Sequence, residues 1–140
     1  MRPGAYCLLD HTADLAMAVF VRTQSELFIH AGLAMFDVMV QGPTDMERYS
    51  HSLRISGRDQ PDLMVNWLRE LLYLWSGRHQ VVVEITIAAL TEIHLAAVVA
   101  TVDFDPDRHE ILREIKAVTY HRIMVEKRSD QWRAEVVFDL

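Results

Sequence analysis

The sequence predicts an α+β fold in a single domain, residues 1–140, with antiparallel sheets packed against two main helices. Three observations support this prediction. The length of 140 residues suits one domain. Two stretches in the first half repeat apolar residues at helical spacing, whereas much of the sequence from residue 80 onward is β-branched and partly alternating. Early strands around two helices, followed by a run of strands, are typical of α+β proteins.

The first predicted element is a pair of strands. Residues 5–9 (AYCLL) and 15–22 are apolar, and the polar DHTAD segment between them predicts a turn. This turn places two carboxylates and an imidazole at the mouth of a core strand, which raises the question of what these polar groups do there.

The next stretch predicts a helix that runs to about Val40. Thr23 and Glu26 have the spacing of a capping box, in which each side chain satisfies a main-chain N–H of the other residue. Four apolar residues share one face of this helix: Leu27, Ala31, Ala34 and Val38. The Gly-Pro pair at residues 42–43 is predicted to end it.

A strand with one solvated face is predicted at residues 50–57, and a second helix follows it. Asp59 is the predicted N-cap, and Pro61 and Asp62 suit the first turn of a helix. The apolar face of this helix comprises four residues: Leu63, Trp67, Leu71 and Leu74. Gly77 is predicted to end it.

The second half of the chain predicts strands and turns. Residues 80–90 and 92–104 form a predicted hairpin, and residues 105–112 (DPDRHEIL) carry the turn chemistry of a loop. Residues 114–127 alternate and predict one strand, and residues 132–140 predict the closing strand.

Composition excludes several classes of protein. A net charge of −6 disfavours direct binding of nucleic acid, which needs clustered Lys and Arg. Charged residues interrupt every apolar run before it could cross a bilayer, and the N-terminus does not resemble a signal peptide. The single cysteine, Cys7, permits no intrachain disulfide and is expected to be a core residue. We therefore expect a cytoplasmic protein without membrane contacts.

The acidic residues near the two ends of the sequence suggest a cation site. Asp139 precedes Leu140, so that its carboxylate lies beside the terminal one. If the last strand pairs near the first strands, Asp14 could join this group, and a hard cation such as Ca²⁺ or Mg²⁺ would relieve the repulsion. The alternative also stands at this point: Asp10 and Asp14 would be turn and cap residues, and Asp139 a solvated residue.

Other chemical signals in the sequence are weak. None of the seven histidines forms an H-x-x-x-H or H-E-x-x-H pair, and no phosphate-binding or nucleophile motif is present. On a strand, Lys116, Tyr120 and Arg122 would share one face. That face is either solvated or a binding edge, in which Lys116 would reach a partner group or a nucleotide phosphate.

Several stretches together resemble the archease family over nearly the whole chain. They occur in the same order and spacing as in the family, and they are DHTADL at 10–15, SELFIHAGLAMFDVMV at 25–40, LMVNWLRELLYLW at 63–75, DFDPDRHEI at 103–111, EIKAVTYHRIMVE at 114–126 and the terminal DL. The resemblance implies a small α+β protein that is not an enzyme. Members of this family assist the RtcB-type RNA ligase in tRNA splicing and RNA repair, where they promote guanylylation of the ligase and multiple turnover.

The resemblance also implies a divalent-cation site, often filled by Ca²⁺, with Mg²⁺ or Mn²⁺ as alternatives. Carried onto this sequence, its ligands are Asp14, Asp139 and Leu140. Asp10 is expected to be a turn residue, and Lys116 corresponds loosely to a functional lysine of the family. RNA is expected to be contacted only indirectly, through the ligase.

The sequence departs from the family pattern near two of these motifs. Family members usually carry a glycine soon after DHTAD and a Gly-Glu pair before the DPDRHE loop, whereas this chain has LAMAVFVR and ATVDFD there. Two rival functions stay open. One is a metal-dependent hydrolase of RNA or phosphoesters with His11 or His121 as acid–base. The other is a general chaperone-like interaction module.

Overall fold

The computed structural model of the chain describes residues 5–10 and 14–140 and confirms the α+β class. These described residues form two helices and ten strands: β1 (Ala5–Asp10), β2 (Asp14–Val21), α1 (Gln24–Met39), β3 (Val40–Gln41), β4 (Tyr49–Ser56), α2 (Gln60–Arg78), β5 (Gln80–Leu90), β6 (His94–Asp103), β7 (Glu110–Ile111), β8 (Ala117–Val118), β9 (Met124–Arg128) and β10 (Gln131–Asp139). Within these described ranges, neither helix combines the length and the hydropathy needed to cross a membrane.

The strands form three antiparallel sheets. The five-stranded sheet has the order β1-β2-β10-β8, and β9 also pairs with β10, so that β10 lies in the interior of this sheet. The three-stranded sheet has the order β4-β6-β5, and β3 pairs with β7. The predicted pairing across the DHTAD segment is confirmed, because β1 and β2 are antiparallel neighbours. Cys7, which we expected in the core, is exposed on β1.

The core lies between the sheets and both helices. Trp67 of α2 is fully buried, and its indole N–H donates to the carbonyl of Phe28 on α1 at 2.9 Å. Gly32 allows the close approach of these elements, because a Cβ at this position would lie 2.6 Å from Leu71 Cδ1. The face of β2 that carries Met17 and its alternate neighbours completes the same core.

Helix α1 confirms the predicted start and one half of the predicted capping box. Thr23 Oγ1 accepts a hydrogen bond from the Glu26 N–H at 3.1 Å. The Glu26 carboxylate accepts from the Thr23 hydroxyl instead of the Thr23 main-chain N–H. The helix ends at Met39, before the predicted Gly-Pro stop, because Val40 takes an extended conformation and pairs with Ile111.

Helix α2 confirms Asp59 as the N-cap, whose side chain accepts from the Asp62 N–H at 2.9 Å. The prediction that Gly77 ends this helix is wrong. The helix continues to Arg78, and His79 ends it in the left-handed conformation with φ of 55°. Gly77 makes room for a neighbouring ring, since a Cβ there would lie 2.6 Å from the Tyr73 side chain.

The predicted single strand over residues 114–127 is also wrong. The structure divides it into β8 and β9, separated by a turn in which Arg122 has a φ of 55°. Polar contacts cause the division: Thr119 Oγ1 donates to the Val137 carbonyl at 2.9 Å, and Tyr120 leaves the sheet to bond Asp62. Lys116, Tyr120 and Arg122 therefore do not share one strand face.

Candidate functional site

Asp14 and Asp139 face each other directly in the five-stranded sheet. Asp14 is the first residue of β2, Asp139 is the last residue of β10, and the two are partners in the antiparallel register. Partners in such a pair project from the same side of the sheet with Cα atoms about 4.5–5.5 Å apart. Like charges directly opposite one another destabilise a sheet, so a cation bound between these carboxylates would stabilise it.

Buried neighbours fix this arrangement. Leu15 pairs with Phe138 in the next position of the ladder, and their exposed fractions are 7% and 0%. A slip of one residue would turn both side chains out of the core, which makes the register strongly determined. Asp14 is half-buried and Asp139 is exposed, so an ion in solvent can reach the pair.

Lys116 and Leu140 lie at the same end of the sheet. The Lys116 main-chain N–H donates to the Asp139 carbonyl at 2.8 Å, and Asp139 also pairs with Ala117 of β8. The Lys116 side chain is exposed, and Leu140 is 42% exposed. The structure thus brings all four candidate residues to the same end of the sheet: Asp14, Asp139, Leu140 and Lys116. The sequence alone did not predict that Lys116 lies near the other three.

The donor set suits a hard cation held partly by main-chain oxygen. Among the described residues, no group of three or more His, Cys, Asp or Glu side chains is arranged to hold a metal. Asp14 and Asp139 supply two carboxylates, and the main chain of Leu140, the residue after Asp139, is the candidate for a third donor. Oxygen donors alone favour Ca²⁺ or Mg²⁺ over metals that prefer thiolate or imidazole.

Of the other polar residues in the DHTAD segment, the structure describes only the main chain of Asp10. Asp10, predicted to be a turn residue, is the last residue of β1 and pairs with Leu15. It belongs to the strand because the ladder between β1 and β2 extends to the edge of the turn. His11, the acid–base candidate of the hydrolase hypothesis, lies outside the described residues.

His109 of the DPDRHE segment has a structural role. Its Nδ1 accepts from the Asp105 N–H at 2.9 Å, and its Nε2 donates to the Pro43 carbonyl at 2.8 Å. The ring is buried and stacks on Phe104 with centroids 5.7 Å apart. Gly42 is required beside it, because a Cβ there would lie 2.5 Å from His109 Cδ2. With both nitrogens bonded, this imidazole is not available as a metal ligand or a base.

Replacing His109 by alanine should destabilise the protein by about 2–3 kcal/mol, because two buried hydrogen bonds and a ring are lost. Urea unfolding measures this difference. His121→Ala is the matched control, since His121 is exposed in the turn before β9 and its removal should change stability by no more than about 0.5 kcal/mol. Equal stabilities of the two variants would contradict a structural role for His109.

Sequence reasoning identified Asp62 only as an acidic residue in the first turn of a helix. Its carboxylate is buried at the start of α2 and accepts from the Tyr120 hydroxyl at 2.8 Å and from the Arg58 N–H at 2.9 Å. The Arg58 N–H, followed by the Tyr120 hydroxyl, holds the pKa of this carboxyl below its usual value. The same hydrogen bond raises the pKa of Tyr120. The burial of its carboxylate marks Asp62 as unusual, but this burial is seen only in the structure and could not be predicted from the sequence.

A cleft of about 290 Å³ opens between α1, β3 and β5 and has a mixed lining of aliphatic and polar residues, which include Asp37 and His109. None of the four candidate residues lines it. The Asp37 carboxylate accepts from the Tyr6 hydroxyl, and both nitrogens of His109 are bonded. We therefore place the candidate site at the end of the sheet.

Comparisons with known proteins agree with this architecture. Residues 6–140 match the model of the Archease protein family (MTH1598/TM1083). Protein archease of Methanosarcina acetivorans is 33% identical over 139 residues, which cover 96% of this chain and 95% of the relative. Protein archease of Pyrococcus furiosus is 31% identical over 138 residues, with coverages of 94% and 95%.

A solved structure extends the comparison to the fold. The solution structure of Methanobacterium thermoautotrophicum protein 1598 superposes with a TM-score of 0.70 at 26% identity, covering 96% of this chain and 98% of that one. The sequence match, which spans nearly the whole chain, and the shared fold lead to one conclusion: this chain belongs to the archease family.

Proposed function

We propose that this protein is a non-enzymatic cofactor of an RtcB-type RNA ligase. In this role it promotes the GTP-dependent guanylylation of the ligase and sustains multiple turnover in tRNA splicing or RNA repair. Membership of the archease family supports the proposal. The direct pairing of Asp14 with Asp139 at an exposed end of the sheet is the observation that links the proposed function to particular residues.

Activation of a partner requires preferential binding to one of its states. The acidic end of the five-stranded sheet would bind the ligase conformation that is competent for guanylylation more tightly than the other conformations. A net charge of −6 favours a partner surface that is basic, and it disfavours direct binding to RNA. The RNA would then be contacted through the ligase alone.

The residues at the sheet end have distinct proposed roles. Asp14 and Asp139 would hold a divalent cation, for which we propose Ca²⁺, with the main chain of Leu140 as a further donor. The cation would supply positive charge to which phosphate or carboxylate oxygen of the partner complex can bind. Lys116, anchored through its main-chain N–H to Asp139, would place a second positive charge beside it.

The hydrolase alternative would use the same two carboxylates as metal ligands, with His11 or His121 as acid–base. It predicts turnover of RNA or a phosphoester by the isolated protein. The chaperone-like alternative differs in its prediction for the sheet end. It requires that loss of Asp139 lower stability by about 1–3 kcal/mol without a selective loss of activation.

The proposal is tested by RNA ligation with a cognate RtcB-type ligase at excess RNA, with GTP and Mn²⁺. Adding this protein without a C-terminal tag should convert a single-turnover burst into steady turnover. Asp14→Asn should remove this effect even at saturating protein. Asp130→Asn is the matched control, because Asp130 precedes β10 at the end opposite Asp139 and should leave activation unchanged.

The controls separate the rival functions. Hydrolysis of RNA by the isolated protein would support the hydrolase instead. Full activation by Asp14→Asn would show that the carboxylate pair is not required, and an absence of activation by the unmodified protein would refute the cofactor role.

A further inference from the structure

The segment between β8 and β9 is held against helix α2 by side chains that the proposed metal site does not use. Tyr120 lies in this segment and is 44% exposed, yet its hydroxyl is bonded to the buried carboxylate of Asp62 at 2.8 Å. An exposed tyrosine contributes little core packing. Its contact with Asp62 therefore serves mainly to hold the segment in place.

Arg69 lies two turns further along α2 and contacts both β8 and the segment that follows it. Its Nε donates to the Val118 carbonyl at 3.1 Å, and its guanidinium lies 4.7 Å from the centroid of the Tyr120 ring. Such a cation–π contact orients the ring, while the hydrogen bond fixes the main chain of β8. The segment is thus attached to α2 at two points.

Asp62 is itself immobilised. Its second oxygen accepts from the Arg58 N–H at 2.9 Å and lies 3.6 Å from Arg58 Nε, and its own N–H donates to Asp59. The carboxylate that holds Tyr120 is therefore fixed by the first turn of a 19-residue helix. Charge-assisted hydrogen bonds of this kind are stronger than neutral ones.

The held segment leads directly to the end of the sheet. Val118 pairs with Phe138 and Ala117 with Asp139, and the Lys116 N–H donates to the Asp139 carbonyl. β8 contains only two residues, so its pairing with β10 is short. Contacts with α2 therefore add to the hydrogen bonds of Thr119 with Val137 in holding Lys116 beside Asp139.

We infer that Asp62, Arg69 and Tyr120 are positioning residues, which connect helix α2 to β8 and hold Lys116 beside Asp139 at the proposed metal site. The inference rests on the proposed function for its biological meaning, but the positioning itself can be measured without a ligase. We call these three residues the α2 clamp. The α2 clamp connects helix α2, which packs in the core, to β8 at the end of the five-stranded sheet.

Tyr120→Phe tests the clamp, because it keeps the ring beside Arg69 and removes the hydroxyl. Hydrogen exchange of the Lys116 amide should accelerate, since local opening of β8 becomes easier. The calcium affinity, measured by titration calorimetry on the intact protein, should fall about tenfold, the lower end of the effect of second-shell changes. Tyr73→Phe, on an exposed tyrosine of the same helix, is the matched control and should change neither quantity.

A second variant tests whether the residues act as a unit. Asp62→Ala should weaken calcium binding as Tyr120→Phe does, and the double variant should lose no more than the stronger single variant, because both changes remove the hydrogen bond between Tyr120 and Asp62. Additive losses would contradict a shared clamp. A lower melting temperature with unchanged calcium affinity and unchanged Lys116 exchange would identify the contact as purely structural.

The outcome for the clamp is separable from that for the proposed function. If Asp14→Asn abolishes calcium binding and Tyr120→Phe leaves Lys116 exchange unchanged, the metal site stands and the clamp is refuted. If Tyr120→Phe accelerates Lys116 exchange while Asp14→Asn leaves calcium binding intact, the clamp holds β8 but the proposed ligands are wrong.

Discussion

Replacing Asp139 by asparagine is expected to abolish both calcium-dependent stabilisation and activation of the ligase. Calcium at a hundred times its dissociation constant should stabilise the unmodified protein by about 2.7 kcal/mol, and the variant should gain nothing. With a chelator present, the variant should be at least as stable as the unmodified protein, because Asp14 no longer faces a like charge. Thermal unfolding with and without calcium measures both effects.

Relative to the unmodified protein, the Asp139 variant should be less stable with calcium but at least as stable with a chelator, and this difference makes the experiment selective. A side chain that merely anchors the end of β10 would lower stability equally with calcium and with chelator. Asp130→Asn, at the other end of β10, should show the full calcium response and full activation. If the Asp139 variant keeps the calcium response, the ion does not bind at this pair.

Replacing Trp67 by alanine is expected to cause the largest loss of stability, about 3–5 kcal/mol. The side chain is completely buried between the helices, and its indole N–H satisfies the Phe28 carbonyl. Because the helices already pack closely at Gly32, the surrounding groups can move only partly into the cavity that the missing indole ring leaves. Since domains of this size are stable by only about 5–15 kcal/mol, the variant should be close to unfolding at physiological temperature.

Urea unfolding of Trp67→Ala measures this loss, with Tyr73→Ala as control. Tyr73 lies on the same helix but is 56% exposed, and its removal should cost no more than about 0.5 kcal/mol. A loss below about 1 kcal/mol for Trp67 would mean that the contact between the helices contributes little to the core, contrary to the typical cost of large cavities.

The helices and hairpins could be predicted from the sequence because their signals are local. The apolar faces around Leu27 and Leu63 repeat at helical spacing, and Thr23 and Asp59 are capping residues at the positions where the helices begin. Each of these features depends on residues within a few positions of one another. The structure confirms them with shifts of one or two residues at the ends.

The errors arose where contacts between distant parts of the chain decide the local conformation. Two sets of side chains alternate over residues 114–127 as in a strand. The chain nevertheless leaves the sheet at Tyr120, where the hydroxyl donates to the Asp62 carboxylate. Gly77 is a residue type typical of helix ends, but the helix continues to Arg78, and His79, whose carbonyl accepts from the distant Phe104 N–H at 2.9 Å, is the left-handed residue. Neither contact can be predicted from a periodic pattern.

The candidate site was predictable in part. The meeting of Asp14 with Asp139 followed from the assumption that the last strand pairs near the first strands, and the pairing of β2 with β10 confirms that assumption. The register that sets them directly opposite depends on burial of Leu15 and Phe138. The clamp residue Asp62 could not be anticipated, because it joins a helix to a turn far along the chain.

The interior position of β10 has a consequence for synthesis on the ribosome. β2 is made early, but β10, which fills its free edge and separates it from β8, follows only at residues 131–139. The nascent chain must therefore carry an open strand edge until β10 has been made, a state that invites pairing with other chains. Folding of the five-stranded sheet therefore waits for β10, and the carboxylate pair at its end exists only in chains that have been translated to residue 139.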